Sequence, residues 1–253
     1  MHKHRQKYGG EKYLGPSFPA IVGSGPNGAI VHYRPHEGTS LKVTDLGTNI
    51  LIDTGAHYMN GTTDTTRTIV FSEPLQGAYL KEMYTRVLMG NLDLQAATFP
   101  GKKTLGMQIE SFARQHLWQV GKDFGHGLGH GVSHCGPVHE YPHYAFARSP
   151  QYQVPLTPGM VITNEPGYYE TNEFGIRIEN ILTVTTVQED PEFLGFENLT
   201  LVPYCKQLID KQMLSEKHKH MIRDYYDQIE MNLKARMQED ADAAAYLNEQ
   251  LDF

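Results

Sequence analysis

Acidic residues stand at the edges of apolar, β-branched segments in two parts of the chain. Asp53 ends the segment TNILID, and Asp64 immediately precedes TTRTIVF. Glu165 follows the apolar segment VITN, and Glu179 lies within a later apolar segment. A single acidic residue is most often exposed, so a surface position is the ordinary interpretation of each one. Their repeated pairing raises the alternative of a shared site.

The two glutamates are spaced so that they can face each other. In an antiparallel pair of strands, facing residues lie symmetrically about the centre of the connecting turn. For Glu165 and Glu179 that centre is Asn172, which lies in a polar loop. The spacing therefore predicts a hairpin with one carboxylate on each strand, facing the other.

The aspartates need a less regular turn. Asp53 and Asp64 face each other if residues 56–61 form a wide or bulged loop. A two-residue turn at Asn60-Gly61 would instead place Asp64 opposite His57, about 13 Å from Asp53 at ~3.3 Å per residue. A shared site therefore predicts a wide hairpin.

Four carboxylates buried together require compensating positive charge. Divalent metal ions supply it, and oxygen donors with one imidazole favour manganese, cobalt, iron or zinc. Two ions ~3.5–4 Å apart can be bridged by carboxylates, hold a hydroxide and polarise a carbonyl group. The chemistry to expect from such a site is hydrolysis.

Four histidines fall in the segment GHGLGHGVSHCGPVHE at residues 125–140: His126, His130, His134 and His139. Glycines between the first two argue against the helical zinc motif H-E-x-x-H, and the dinucleotide pattern G-x-G-x-x-G is not matched. A glycine-rich strand and loop that brings backbone close to a site fits better. A lone histidine is usually solvated, but four in so short a segment favour a site.

Nucleophilic catalysis has weaker support. Cys135 has no local partner that marks it as a nucleophile rather than a neutral thiol. Ser24 and Ser133 lie outside any G-x-S-x-G motif. These residues therefore do not predict a cysteine or serine hydrolase.

The elements that must position these residues alternate between strands and helices. The predicted strands are Ala29–Tyr33, Thr48–Asp53, Thr65–Phe71, Val161–Asn164 and Ile176–Val187. Helical periodicity predicts helices over 75–96, from a cap at Thr104 to about residue 120, over 221–233, and over 239–253. This mixture predicts an α/β or α+β domain.

Composition is that of a soluble globular protein. The chain has 253 residues, a net charge of −7 and 40% hydrophobic residues, which suits one large domain. The mild acidic excess predicts no nucleic-acid or membrane partner. The absence of an apolar N-terminal segment and the presence of only two cysteines favour a cytoplasmic location.

With these residues assembled, the chain resembles the Xaa-Pro aminopeptidases (aminopeptidase P) of the pita-bread metallopeptidase superfamily. The matching strings span nearly the whole chain in the family's order: GPNGAIVHYRP (25–35), LIDTGAHYMNGTTDTTRTI (51–69), GHGLGHGV (125–132), PVHE (137–140), LTPGMVITNEPGYYE (156–170), FGIRIEN (174–180) and FENLTLVPY (196–204).

The resemblance implies a pita-bread α/β (α+β) fold with a curved antiparallel sheet, outer helices and a pseudo-twofold axis. We expect residues 1–18 to be the remnant of a connector and residues 19–253 to form the catalytic domain. The eukaryotic cytosolic enzymes of the family carry two further domains ahead of this one, so we expect a part of a longer protein. Family members are often homodimers.

The resemblance also implies a set of five metal ligands for two ions, most often Mn²⁺, with Co²⁺, Zn²⁺ and Fe²⁺ as alternatives. Asp53 would serve one ion, His130 and Glu165 the other, and Asp64 and Glu179 would bridge. The implied reaction is attack of a metal-bridging hydroxide on the carbonyl that precedes proline.

Further residues match the family's substrate site. The implied catalytic residues are His139, His126 and Arg177, with His139 helping to stabilise the oxyanion. The implied substrate contacts are His32, His126, His139 and, against the proline ring, Tyr168 or Tyr169.

Three alternatives stay open. A prolidase cleaves only dipeptides, and a methionine aminopeptidase shares the fold. The strings GPNGAIVHY and FENLTLVPY favour aminopeptidase P over both. A non-catalytic binding module usually loses metal ligands, whereas all five positions are filled here.

Overall fold

The computed structural model describes residues 1–43, 47–140, 154–187, 190–237 and 239–253. The elements of its first half are α1 (His2–Gly9), β1 (Tyr13–Pro16), β2 (Ile21–Ser24), β3 (Ile50–Tyr58) and β4 (Gly61–Ile69). β3 is the centre of an antiparallel sheet, with β1 and β2 along one edge and β4 along the other. Residues 1–18 thus include a strand that extends this sheet.

A second antiparallel sheet has the strand order β5-β10-β9-β6, and β7 and β8 form a separate hairpin. These strands are β5 (Phe99–Pro100), β6 (Val161–Asn164), β7 (Gly167–Glu170), β8 (Phe174–Arg177), β9 (Asn180–Val187) and β10 (Asp190–Asn198). The single strand predicted over 176–187 is divided at Ile178 and Glu179. This break lets Glu179 leave the ladder and turn into the interior.

The remaining helices are α2 (Gly77–Gln95), α3 (Gly106–Ile109), α4 (Ser111–Trp118), α5 (Glu216–Met237) and α6 (Ala241–Leu251). They correspond to the four predicted helical regions. The central helix is α2, whose buried residues cover most of its circumference. Such a helix must be enclosed, and α2 contacts β6, β7, β8 and β10 as well as α4 and α5. None of the helices in the described ranges has the length and apolarity needed to cross a membrane.

The two sheets meet along β4. The backbone N–H of Glu179 donates to the carbonyl of Thr66 at 3.1 Å, and the N–H of Arg177 donates to Thr68 Oγ1 at 3.1 Å. All four of these residues are buried. The boundary between the sheets is therefore a closed, hydrogen-bonded seam, and it is here that the acidic residues collect.

The predicted strand Ala29–Tyr33 is wrong. A short 3-10 helix occupies Gly25–Ala29, and turns follow it. Gly25 has φ of +53°, which starts this turn, and Ile30 is 55% exposed. The apolar run is thus not a buried strand, because only its last residue, Tyr33, enters the interior.

The predicted cap at Thr104 is also wrong. Its hydroxyl donates to the carbonyl of Pro100 at 2.6 Å. The cap position of α3 is Leu105, whose N–H donates to the side chain of Gln108 at 2.7 Å. The helix begins one residue later than its sequence signal because Thr104 closes the preceding turn.

Candidate metal centre

Asp53 and Asp64 lie on the same face of the β3–β4 hairpin. Asp64 pairs with Gly55 and Asp53 with Thr66, so the two aspartates are diagonal neighbours. The turn is a tight one at residues 59–60, and the predicted wide hairpin is wrong. The turn lies one residue before the Asn60-Gly61 turn that would have separated the carboxylates. Diagonal neighbours ~7–8 Å apart can still serve two ions ~3.5–4 Å apart.

Glu165 immediately follows β6, and Glu179 immediately precedes β9. Asn164 of β6 lies opposite Asn180 of β9, so the next residues inward, the two glutamates, lie opposite each other. The β7–β8 hairpin continues the same register around Asn172, which has φ of +63°. The register predicted for this pair is confirmed.

The glycine-rich segment runs antiparallel to β6 and acts as an additional edge. Backbone hydrogen bonds join Val132 to Val161, Thr163 to His130, and Glu165 to Leu128. A Cβ at Gly129 would lie 2.0 Å from the carbonyl oxygen of Thr163, so the close approach needs glycine. This pairing places His130 beside Glu165, as the non-helical interpretation of the segment predicted.

The imidazole of His130 points one nitrogen at the carboxylates. Its Nε2 lies 3.5 Å from Asp64 Oδ2 and 3.4 Å from Glu165 Oε1. Its Nδ1 lies 2.9 Å from the carbonyl oxygen of Gly131, which can only accept, so Nδ1 carries a proton and Nε2 is the nitrogen that would bind an ion. Burial opposes it, but Asp64 and Glu165 raise the pKa of His130 to about 9, so Nε2 also carries a proton until an ion displaces it. Ligand atoms of Asp64, His130 and Glu179 all lie within 4.8 Å of one another. Ligands ~2.1 Å from a tetrahedral ion are about 3.4 Å apart, close to the distances from His130 Nε2 to Asp64 and Glu165.

Asp53 is held from one side and left open on the other. Arg177 Nη2 donates to Asp53 Oδ2 at 2.7 Å. Within the described ranges, no hydrogen bond reaches the buried Oδ1 of Asp53. A buried carboxylate oxygen without a partner is costly. An ion bound at Oδ1 would remove that cost.

Burial shifts the ionisation of the acidic cluster. Burial raises the pKa of Asp53 to about 6, although Arg177 opposes this, and it raises the pKa of Glu165 to about 7 against the pull of His130. The pKa of Glu179 is also well above its usual range, because of burial and then the charge of Asp64. Without added cations the carboxylates resist ionisation together. The donor set and the unsatisfied oxygen therefore fit divalent metal ions.

Two threonines that the sequence analysis missed orient the glutamates. Thr66 Oγ1 donates to Glu179 Oε2 at 2.7 Å and Thr163 Oγ1 donates to Glu165 Oε1 at 3.0 Å. Thr163 Oγ1 also accepts the backbone N–H of His130 at 3.0 Å. Both threonines are fully buried. The only signal for them in the sequence was their position. Thr66 lies two residues after Asp64, and Thr163 lies two residues before Glu165.

A third missed residue is Asn91 of α2. Its Nδ2 donates to the carbonyl of Asn164 at 3.0 Å and to that of Ile178 at 3.1 Å. These carbonyls belong to the residues just before Glu165 and Glu179. One helix side chain therefore fixes the spacing of both glutamate backbones. Nothing in the helical pattern distinguished it from other polar residues of α2.

Tyr169 links the metal centre to His126. Its hydroxyl lies 2.9 Å from Arg177 Nη1, which donates, and 2.8 Å from His126 Nε2, to which it can donate in turn. The other nitrogen of His126 lies 2.7 Å from the carbonyl of Gly127. Burial lowers the pKa of His126 to about 4, so this ring is neutral and held in one tautomer.

The two candidate tyrosines separate, because neighbouring residues of a strand point to opposite faces. Tyr169 faces the metal centre. Tyr168 faces α2, where its hydroxyl bonds Tyr79 at 2.8 Å and the Glu170 carboxylate, and its ring packs against Phe174. The structure therefore brings only Tyr169 to the site.

His139 and His32 lie on the open side. The ring of His139 meets that of His130 with centroids 4.1 Å apart, and His139 is exposed. Burial and then the charge of His130 lower the pKa of His139. His32 is exposed and lies near enough for its charge to lower the pKa of both His126 and His139. These rings line the approach to the carboxylates.

A known protein family matches the chain along most of its length. Residues 1–186 match the model of metallopeptidase family M24, and residues 192–252 match the C-terminal region of peptidase M24. The chain belongs to metallopeptidase family M24. The resemblance to the Xaa-Pro aminopeptidases that its motifs indicated is thereby confirmed at the level of the family.

Individual relatives of the chain are named as Xaa-Pro or X-prolyl aminopeptidases. A probable Xaa-Pro aminopeptidase P of Botryotinia fuckeliana is 46% identical over 87% of this chain, and the match covers 34% of that protein. An X-prolyl aminopeptidase from Caenorhabditis elegans, described as a cytosolic enzyme with a di-nuclear active site, superposes with a TM-score of 0.88 at 32% identity, over 96% of this chain and 39% of its own.

The M24 fold also includes dipeptidases. A prolidase from Pyrococcus furiosus superposes with a TM-score of 0.58 at 33% identity, over 74% of this chain and 50% of its own. The TM-score and the share of this chain that superposes are both lower for the prolidase than for the nematode protein. The pita-bread fold predicted from the resemblance is confirmed by these structures.

Proposed function

We propose that this chain is the catalytic domain of a dinuclear metal-dependent aminopeptidase that hydrolyses the N-terminal Xaa-Pro bond of peptides. The observation that supports this most is the buried cluster of carboxylates with His130 Nε2 directed at Asp64 and Glu165. Such a cluster is stable when divalent ions neutralise it. The chain spans 34% of the Botryotinia relative, so the activity is proposed for the longer protein.

The proposed ligands are those that the resemblance implied. Asp53 would hold one ion, His130 and Glu165 the other, and Asp64 and Glu179 would contribute to both. When bound, the ions supply positive charge that acidifies a water molecule and polarises the scissile carbonyl. We propose Mn²⁺ as the native ion, since four carboxylates and one imidazole suit it, with Co²⁺, Zn²⁺ and Fe²⁺ as alternatives.

Residues of the chain itself donate hydrogen bonds to the peptide and position the groups around it. His139 lies on the open side and donates to the oxygen that becomes negative, as electrostatic preorganisation requires. The guanidinium of Arg177 is occupied by Asp53, Tyr169 and the hydroxyl of Thr66, the last at 3.1 Å. Arg177 is therefore proposed to position Asp53 and Tyr169 rather than to bind the peptide.

Proline specificity follows from what the bond lacks. The nitrogen of an Xaa-Pro bond has no hydrogen, so recognition must use the ring and neighbouring carbonyls. We propose that Tyr169 packs against the ring. The exposed His32 is a candidate donor to the carbonyls. His126, whose Nδ1 proton is held by the carbonyl of Gly127, offers Nε2 to the peptide as an acceptor when its link to Tyr169 opens.

Several properties of the whole protein are proposed as well. We propose that residues 1–18 adjoin the catalytic domain as a connector whose strand β1 extends the sheet of residues 19–253, since all five candidate ligands fall within 19–253. A cytoplasmic location is supported by the cytosolic nematode relative and by two cysteines that are both free. A homodimer is proposed from the family resemblance, and sedimentation of the full-length protein tests it.

The deciding experiment measures cleavage of three peptides by full-length protein loaded with Mn²⁺: an Xaa-Pro-Xaa tripeptide, its alanine counterpart and an Xaa-Pro dipeptide. We expect turnover of the proline tripeptide and negligible turnover of the alanine peptide. Turnover of the dipeptide alone would indicate a prolidase. Equal rates on the two tripeptides would indicate a general aminopeptidase. Two bound ions without cleavage of any peptide would favour a binding module.

A further inference from the structure

A second group of metal-binding side chains lies among the helices. Ligand atoms of Asp93, His116 and His218 all lie within 4.8 Å of one another. His116 Nε2 is 2.7 Å from Asp93 Oδ2, and His218 Nε2 is 3.1 Å from Asp93 Oδ1. Each imidazole therefore addresses a different oxygen of one carboxylate. None of the three side chains belongs to the carboxylate centre between the sheets.

The packing of the helices makes this meeting possible. Gly90 of α2 lies against the backbone of α4, where an added Cβ would be 2.1 Å from the carbonyl oxygen of Ala113. Asp93 and His116 each lie three residues beyond this contact, about one turn further along α2 and α4. Their side chains therefore project from neighbouring faces of the two helices. His218, in the first turn of α5, completes the group and is 94% buried, since its exposure is 6%.

Two imidazoles and one carboxylate are a donor set that suits zinc, with water in the fourth position. Ligands on a tetrahedral zinc ion are about 3.4 Å apart, so an ion needs His116 to withdraw from Asp93 by about 0.7 Å and His218 by about 0.3 Å. The three side chains are 8–15% exposed, which leaves a narrow opening for an ion to enter.

The surrounding groups are compatible with an ion. Gln115 Nε2 donates to Asp93 Oδ2 at 3.0 Å, and hydrogen bonds of this kind orient a ligating carboxylate. Lys217 Nζ lies 3.9 Å from Asp93 Oδ1, but its side chain is 64% exposed and can turn into solvent. The end of α4 is fixed independently, because Arg86 Nη1 donates to the carbonyl of His116 at 3.0 Å.

We propose that Asp93, His116 and His218 form a zinc site that fastens the start of α5 to α2 and α4. Its ligands are far apart in the chain and meet only in the folded protein. An ion bound there therefore stabilises the folded state relative to the unfolded state. Its role is structural, and it does not depend on the function proposed for the carboxylate centre.

The test counts zinc ions per chain after equilibrium dialysis against buffered free Zn²⁺. The parent protein carries His2→Ala and His4→Ala, which removes histidines near the N-terminus that can chelate zinc. We expect Asp93→Asn and His218→Ala each to bind one ion fewer than the parent. His220→Ala is the matched control, because His220 lies two residues from His218 with a 74% exposed side chain, and it should bind as many ions as the parent.

Thermal unfolding supplies a second readout. Zinc at a hundredfold excess over its dissociation constant should raise the melting temperature of the parent by about 5–10 °C more than that of Asp93→Asn. Asp93→Asn keeps the side-chain shape, so it separates loss of zinc from failure to fold. Equal zinc content in the parent and folded Asp93→Asn would overturn the proposal and leave a hydrogen-bonded ion pair. Because only the difference of one ion counts, the result is independent of how many ions the carboxylate centre holds.

Discussion

Replacing Thr163 by valine should weaken metal binding at His130 and Glu165 without removing either ligand. Valine keeps the shape of threonine but deletes the hydroxyl that donates to Glu165 Oε1 at 3.0 Å and accepts the His130 N–H at 3.0 Å. Lost support of this kind typically costs 10–100-fold in metal affinity, which is about 1.4–2.7 kcal/mol. Isothermal titration of metal-free protein with Mn²⁺ measures this directly.

The same substitution also lowers stability, so a matched control is needed. A hydrogen bond to a charged group contributes about 1.5–3 kcal/mol, and a buried N–H left without a partner costs about 1–3 kcal/mol. Thr85 of α2 is equally buried, donates to the carbonyl of Lys81 at 2.8 Å and accepts the N–H of Asp210 at 2.9 Å. Thr85→Val should therefore lose stability while retaining normal Mn²⁺ affinity.

Conservative rescue completes the test. Thr163→Ser keeps the hydroxyl and should recover most of the affinity that Thr163→Val loses. If Thr163→Val binds Mn²⁺ as tightly as the wild type while its melting temperature falls like that of Thr85→Val, the orienting role of Thr163 is refuted and its hydroxyl serves only the strand.

Three further outcomes are expected. Gly129→Ala places a methyl group 2.0 Å from a carbonyl oxygen of β6 and should abolish metal binding by calorimetry, whereas Gly125→Ala, with open space around its Cα, should bind normally. Burial lowers the pKa of His126 from 6.5 to about 4. Between these pH values the unfolded chain binds a proton that the folded protein does not, so the free energy of unfolding falls as the pH drops from 6.5 to 4. The melting temperature of His126→Asn should fall less steeply than that of the wild type over this range. Tyr169→Phe should lower turnover of the proline tripeptide more than tenfold, while Tyr168→Phe leaves turnover within twofold, and equal effects would contradict their placement on opposite faces.

Periodicity predicted the long elements of the fold well. The helices α2 and α5 were recognised because their apolar periodicity persists over many residues. The short run Ala29–Tyr33 was misjudged, since five apolar residues do not show whether a segment is buried. The break at Ile178 was also missed, because its cause is the distant strand β4 that binds the chain there.

The ligand positions were visible in the sequence, but the groups that hold them were not. The spacing of Glu165 and Glu179 about Asn172 contained their register, and the glycines around His130 indicated a close backbone approach. The tight turn at residues 59–60 was not predicted. A wide loop over 56–61 was expected instead, because the tight turn that Asn60-Gly61 signals would have separated the two aspartates. Asn91 could not be singled out, since its role depends on carbonyls from two other strands.

The carboxylate centre lies across the seam between the two sheets, so its ligands come from both sides of the domain. Asp53 and Asp64 belong to the sheet built on β3, whereas His130, Glu165 and Glu179 belong to the segments around β6 and β9. An ion that bridges these groups cross-links the two halves of the domain and binds only where both are docked. Loss of the ions would then loosen the joint first, so the halves would open as separate bodies before either one melts.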